Sequence, residues 1–478
     1  MPSLPLPTRS RRGAAPAALA LAGLLAGCAA LPPDPGLPGI QARVAERLGR
    51  PVELVRADGP AALEGIARRV DELLAAPLDA DAAVQVALLN HRGLQADLAG
   101  LGVTEAEVLQ AGRLPNPGVR FGRSTRGAER EIERSLHLDL ARLLARPLVL
   151  RAEARRLDAA RARVAGQVLA LATDTRKAWV QAVAAEEGLR YARQVMQAAE
   201  AAAELARRMA QVGNFSRLQQ AREQAFQAEA ALGLVRAAQQ QQAARERLVR
   251  QLGLWGAQTA FRLPERLPEL PAQPLEAPGL EQTALAQRLD VQAARATTEA
   301  TAQQLARVRG NRFVEVLDLG LLRNGASGAP VQRGWEIGLE LPLFDDGAAR
   351  VARAAALHEQ ALHEAAQAAI AARSEVREAY GAYRAAWDIA RHHRDELLPL
   401  RARIAEENLL RYNGMLIGVF ELLADARAQI AGVQAAIDAL RDFWLAQADL
   451  DRALVGAPRP TAALVAPADA AAPAAAAH

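Results

Sequence analysis

Val212-Gly213-Asn214-Phe215-Ser216-Arg217-Leu218-Gln219-Gln220-Ala221-Arg222 and Ile417-Gly418-Val419-Phe420-Glu421-Leu422-Leu423-Ala424-Asp425-Ala426-Arg427 read as two copies of one segment. Their glycines, phenylalanines and closing Ala-Arg pairs coincide. Each copy interrupts a long alanine-rich helical pattern, and each follows a pair of short alternating segments. The pattern predicts a tandem repeat of one large unit, strand–strand–long helix–turn–helix.

Working outward from the first copy, Asp79 or Asp81 can cap a helix running to about Gly112, where Leu114-Pro115-Asn116-Pro117 stops it. Strands are expected at about 117–125 and around Leu136, Leu138 and Leu140, which alternate with His137, Asp139 and Ala141. A helix then follows Pro147 to about Val212, and a partner helix runs to about Gly253. Around the second copy, a helix is expected at about 280–309 and strands at about 313–323 and 334–343. Asp345 or Asp346 can cap a helix to about Ile417, and a last helix ends near Gly456. The resulting division is 1–27 signal peptide, 28–78 tether and packing segment, 79–260 first repeat, 261–279 Pro-rich linker, 280–456 second repeat and 457–478 disordered Ala/Pro tail.

Composition narrows the class. Apolar residues make up 51% of the chain but are mostly alanine, and aromatics only 4%. Alanine favours helix and buries little area, which suits a thin wall of closely packed helices rather than a thick core. The 58 basic and 54 acidic residues are interspersed, and no basic stripe carries interleaved aromatics, so nucleic-acid binding is not expected.

Arg9, Arg11 and Arg12 precede an apolar run from Ala14 to Leu25, too short to span a bilayer but suited to a signal-peptide core. It ends in Leu25-Ala26-Gly27-Cys28, which resembles the cleavage and acylation site of bacterial lipoproteins. Cys28 is the expected lipidation site and is the single cysteine, which excludes disulfides and cysteine metal clusters. Ala29 rather than aspartate follows it, which favours the outer membrane.

After Cys28 no stretch approaches 18 consecutive apolar residues, yet the strands alternate apolar and charged side chains over the length of a membrane β-strand. Trp335, Ile337, Leu339 and Leu341 face one way; Glu336, Gly338 and Glu340 face the other. Four strands cannot close a barrel and open edges are not tolerated in lipid, so the chain must share a barrel with copies of itself: three copies would give a twelve-stranded pore and two an eight-stranded barrel with a filled interior, and a conduit needs the former.

These residues resemble the outer membrane efflux protein family, the TolC-like channels, over about 80–456. The resemblance is carried by Leu114-Pro115-Asn116-Pro117, Leu341-Pro342-Leu343-Phe344, and Arg411-Tyr412-Asn413-Gly414 leading to Phe420-Glu421-Leu422-Leu423. It implies a mainly α fold with a small β part, assembled as a homotrimer. Twelve strands would form an outer-membrane β-barrel, continued by a periplasmic α-helical barrel. The chain would be the passive exit duct of a tripartite efflux or type I secretion system, lipid-anchored, partnered by a periplasmic adaptor and an inner-membrane pump. The tips Gly213, Asn214, Phe215, Gly418, Val419 and Phe420 would dock the adaptor. Glu421 and Asp425 would narrow the periplasmic entrance, with Ser216 and Gln220 matching them in the first repeat. Glu336, Glu340 and Asp139 would face the pore.

Neither catalysis nor a cofactor is expected. His358 and His363 are five apart and His392 and His393 adjacent, whereas a helical zinc pair wants a spacing of four. A periplasmic adaptor protein and a structural outer-membrane lipoprotein are the alternatives; an adaptor would carry one hairpin rather than two.

Overall fold

Both repeats begin with a short helix, a sharp break and a longer helix. The computed structural model describes residues 36–276, 278–313, 316–340 and 342–457, less the side chain of Phe420. The chain divides into two units, 1–38 and 39–478. The first is described only at its last residues; the second holds the sheet and the two hairpins. The expected signal peptide, Cys28, Leu341 and residues 458–478 of the tail lie outside the described residues.

Helices α1 (Leu37–Leu48) and α2 (Pro60–Leu74) precede the first repeat. Between them the chain is extended rather than helical. It is held by two glutamine amides acting as strand partners: Gln85 bonds the backbone of Glu53 in both directions, and Gln95 bonds Ala57 and Val55.

Asp79 caps α3 (Ala80–Asn90), accepting from the amides of Asp81 and Ala82. The helix does not run through to Gly112. It breaks at His91, whose ψ of 114 is extended and whose Nδ1 accepts from Leu94 to start α4 (Arg92–Gly112). The second repeat breaks in the same way at Arg288, between α7 (Leu280–Gln287) and α8 (Leu289–Gly310). Arg288 is fully buried, with its guanidinium 2.8 Å from Asp290 and 2.6 Å from Glu375. A buried charge survives only when paired, and the break is what turns this one toward its partners. The break at Arg288 has no Gly or Pro beside it, whereas Gly93 follows His91 by two residues and a Cβ there would lie 2.8 Å from the His91 ring.

Strands β1 (Gly118–Arg126), β2 (Glu129–Asp139), β3 (Leu317–Ala326) and β4 (Gln332–Leu339) form one antiparallel sheet in that order. The β2–β3 ladder therefore joins the repeats. β4 ends before Pro342 and β3 starts later than expected.

Helix α5 (Leu140–Gln211) begins ahead of Pro147, not after it, and takes in Leu140 and Ala141, which the alternation had assigned to the strand. Asp139 caps it by accepting from Arg142 at 2.7 Å, and buried Ala141 and Ala145 anchor the first turns. Capping and packing together outweigh the hydrogen bond that Pro147 removes. At 72 residues the helix is roughly 110 Å long. Its burial is continuous only in the middle, around Val168, Leu169, Ala172, Trp179 and Val183, where α3, α4, α8 and α11 (Val419–Val455) gather. Helix α6 (Arg217–Leu252) returns beside it.

The corresponding long helix of the second repeat is split. Helix α9 (Ala348–His392) passes through a π-helical turn at His393–Leu397 into α10 (Leu398–Asn413), which ends four residues before Ile417. Gly347, at φ 75, is the formal cap of α9; a Cβ there would meet Arg312 O at 2.8 Å. Asp345 and Asp346 bond the next amides instead. The Ala348 amide and the Arg312 guanidinium hold the Asp346 carboxyl below its ordinary range.

A second core lies between α9 and α11, built on Tyr383, Trp387, Phe443 and Leu450. It pins the linker. Trp387 and Trp444 donate to the carbonyls of Pro271 and Pro268, and Tyr383 accepts from Leu275. In the first repeat Trp179 donates to Leu78 in the corresponding manner. Among the described residues no helix is long and apolar enough to cross a membrane.

Candidate channel surfaces

Paired residues of an antiparallel sheet share a face, so the register sorts every strand side chain. One face carries Val119 and Phe121, Leu136 and Leu138, Leu317, Leu319 and Leu321, and Trp335, Ile337 and Leu339. Val119, Leu136, Leu321 and Trp335 form one unbroken apolar row across all four strands. That row is exposed: Trp335 is 69% and Val119 79% accessible.

The opposite face is polar. Gly320 pairs with both His137 and Glu336, and a Cβ there would lie 2.6 Å from Glu336 Cγ. The space left by glycine lets His137 Nδ1 approach Glu336 Oε1 at 3.3 Å while Nε2 meets Ser135 Oγ at 2.6 Å. Asp139 shares this face, opposite Asp318, but one of its oxygens caps α5. Glu340 lies one residue past the end of β4; its amide donates to Val316 O at 3.4 Å.

At the other end of the long helices are two tips. The first turns with Gly213 N bonded to Ala210 O and Asn214 N to Met209 O. In the second, Met415 N bonds Tyr412 O and Leu416 N bonds Arg411 O. The left-handed residue is Gly213 in one (φ 79) and Met415 in the other (φ 58). The helix cap that follows is Ser216 in one and Gly418 in the other. The backbone thus pairs Gly213 with Met415 and Ser216 with Gly418. The match of Gly213 to Gly418 and Phe215 to Phe420 expected from sequence is out by three residues. Gly418 is extended, at φ −82, and is not the residue that breaks the helix.

The acids realign accordingly. Glu421 is the third residue of α11, and its counterpart is Gln219, not Ser216. Asp425 stands seven residues after its cap, where the first repeat has Glu223, not Gln220. Glu223 is 2% exposed and accepts from Arg427 at 2.6 Å; Arg427 also lies 4.4 Å over the ring of Phe226. Sequence reading missed Glu223 because the shifted match hid it. Glu421 is exposed. Asp425 is half-buried and accepts from Asn408 of its own hairpin. Near the first tip, hydrogen bonds from Arg208 and Arg207 hold the Glu204 carboxyl below its ordinary range.

Of the expected docking positions, Gly213, Asn214 and Gly418 are exposed, whereas Phe215 and Val419 are 7% and 9% exposed and pack in one cluster with Ala206. That cluster joins the two tips. The exposed apolar residues are Val212, Leu218, Met415 and Leu416. Between α5, α6 and α11 runs a groove of about 920 Å³ lined by small residues such as Ala184, Gly188, Ala230 and Gly233.

This arrangement is similar to solved structures. A membrane protein of Pseudomonas aeruginosa is 21% identical with a TM-score of 0.67, covering 81% of this chain and 93% of that one. The outer membrane protein VceC of Vibrio cholerae is 16% identical with a TM-score of 0.66, covering 80% and 97%. The open state of the MtrE outer membrane channel of Neisseria gonorrhoeae is 18% identical with a TM-score of 0.62, covering 82% and 90%. The chain has the TolC-like outer-membrane channel fold. No family model and no curated protein matches it.

Proposed function

We propose that the chain is one third of a trimeric outer-membrane channel, the exit duct of a tripartite efflux or type I secretion assembly. The observation that carries this is the sheet. Its apolar face is exposed from edge to edge, and β1 and β4 each leave an open edge. In water both features invite aggregation. In a membrane the open edges are admissible only in a closed barrel, and three copies supply twelve strands. The apolar face then meets lipid, and the polar face, with Glu336 and Asp139, lines water.

The long helices would continue the conduit into the periplasm. An adaptor would meet Val212, Leu218, Met415 and Leu416 at the exposed tips, and an inner-membrane pump would supply the energy. Cys28 would carry the lipid anchor at the head of the mature chain, followed by the tether (28–78), the two repeats (79–260 and 280–456) and the linker between them. Glu421, exposed at the second tip, with Asp425 one turn on, would set the charge of the entrance. The chain itself is a passive duct and not an enzyme.

Purified protein should run as a heat-modifiable trimer and form cation-conducting pores in planar bilayers. In membranes, cysteine at position 336 should react with a water-soluble maleimide and cysteine at 339 should not; the reverse pattern defeats this assignment of the faces. Glu421→Gln with Asp425→Asn should lower cation preference, because carboxylates in a narrow aperture attract cations. Unchanged conductance and selectivity would remove both residues from the entrance.

A further inference from the structure

The carboxylates of the sheet are confined to one face, which also carries Arg120 and Arg126. The apolar face carries five charged side chains, all arginine: Arg123, Arg130, Arg134, Arg323 and Arg333. All six strand carboxylates lie on the polar face: Glu129, Glu131, Glu133, Asp139, Asp318 and Glu336. The five guanidinium groups are exposed, and none has a carboxylate partner among the described residues.

Three of them form a row. Arg323 pairs directly with Arg333, and Arg134 lies beside Arg323, between the Ile132–Gly325 and Ser135–Leu322 pairs. Phe121, opposite Arg134, completes the row on β1. The row stands two residues, about 7 Å, beyond the apolar row that contains Trp335. It lies on the side of the hairpin turns at Gly127 and Gly328, away from the helices.

Like charges set side by side across strands repel one another. An arginine facing lipid is costly at the midplane and cheap only near an interface. Both penalties vanish if anions lie between the guanidiniums. Guanidinium binds phosphate with two parallel hydrogen bonds, and an aromatic and apolar band just below is suited to acyl chains.

We propose that Arg134, Arg323 and Arg333 form a binding belt for phosphorylated lipid headgroups in the outer leaflet, with the acyl chains lying on the Val119–Trp335 row. The proposal rests on the reading of the sheet as part of a membrane barrel. It commits to lipid rather than free anion, because the row adjoins an apolar surface instead of lining a pocket.

The test uses the full-length trimer in neutral detergent, with binding followed by native mass spectrometry. The probe is a bisphosphorylated, multiply acylated glycolipid, compared with the same glycolipid after removal of its phosphates and with inorganic phosphate. Wild type should bind the phosphorylated lipid on the order of tenfold or more tightly than the dephosphorylated one. R134Q/R323Q/R333Q should erase that preference, R134K/R323K/R333K should keep most of it, and R120Q/R126Q, on the polar face, should leave it intact. Equal binding of the two lipids, or a preference that survives the triple glutamine variant, overturns the belt. Competition by inorganic phosphate at the lipid's own concentration overturns the lipid assignment. Trimer mobility and conductance are measured on the same preparations. A conducting trimer without phosphate preference defeats this proposal alone, whereas a protein that forms no trimer and no pore defeats the channel reading with it.

Discussion

The two hairpin tips share a backbone and differ in how each is secured. In the first, glycine occupies the left-handed position, Ser216 and Gln219 close a reciprocal capping box, and the helix leading in is continuous from Leu140. In the second, Met415 takes the left-handed position with 92% of its surface exposed, Gly418 offers no side-chain cap, and the incoming helix contains a π-helical turn. Left-handed backbone disfavours a side chain by about 1–2 kcal/mol, and a missing cap leaves helical amides to water. The first tip is held by local interactions. The second depends on Phe215 and Val419 packing together and on Arg427 reaching Glu223. Sequence similarity between two repeats therefore does not imply equal local stability.

Removing the tie between the tips should have the largest effect. Arg427→Ala leaves the buried Glu223 carboxylate without its charged donor, a loss of about 2–3 kcal/mol for a charge-assisted hydrogen bond. Hydrogen exchange should report it as faster opening of α11 than of α6; equal protection of both helices in wild type and variant would show that the tie carries nothing. Next comes Gly213→Ala, which places a Cβ in the left-handed position and should destabilise the first tip by about 1 kcal/mol or somewhat more. Met415→Gly should move the second tip the opposite way, by less, because glycine also loosens the unfolded chain. If both substitutions change local exchange in the same direction, the backbone equivalence of Gly213 and Met415 is wrong.

Ser216→Ala should cost about 1 kcal/mol at the start of α6. The smallest effect is the most specific. Gly418→Ser would place serine three residues before Glu421 and complete the capping box that α11 lacks, a gain of a few tenths of a kcal/mol. Combined with Glu421→Gln the gain should persist, since glutamine closes the same box, whereas with Glu421→Ala it should shrink. Exchange rates of the first-turn amides of α11 distinguish these outcomes.

Local pattern determined a good deal of this protein. Apolar alternation placed the strands, alanine-rich periodicity placed the long helices, and the recurrence of both announced the tandem repeat. The faces of β4 followed from alternation alone, since successive side chains on a strand must point opposite ways. What failed in the sequence reading has a common cause. Gly213 and Gly418 invited a match on identity, but the turn is defined by which residue is left-handed, and α10 stops earlier than its composition suggests. Pro147 signalled a boundary that the Asp139 cap and the packing of Ala141 and Ala145 overrode. Arg288 ends a helix without any local breaker, because a guanidinium must reach Asp290 and Glu375, which lie on different helices. The arginine row was present in the sequence as three scattered letters. Only the register of β2 on β3 and of β3 on β4 sets Arg134, Arg323 and Arg333 side by side, because a strand's own sequence determines which face a residue takes but not its neighbour across the ladder.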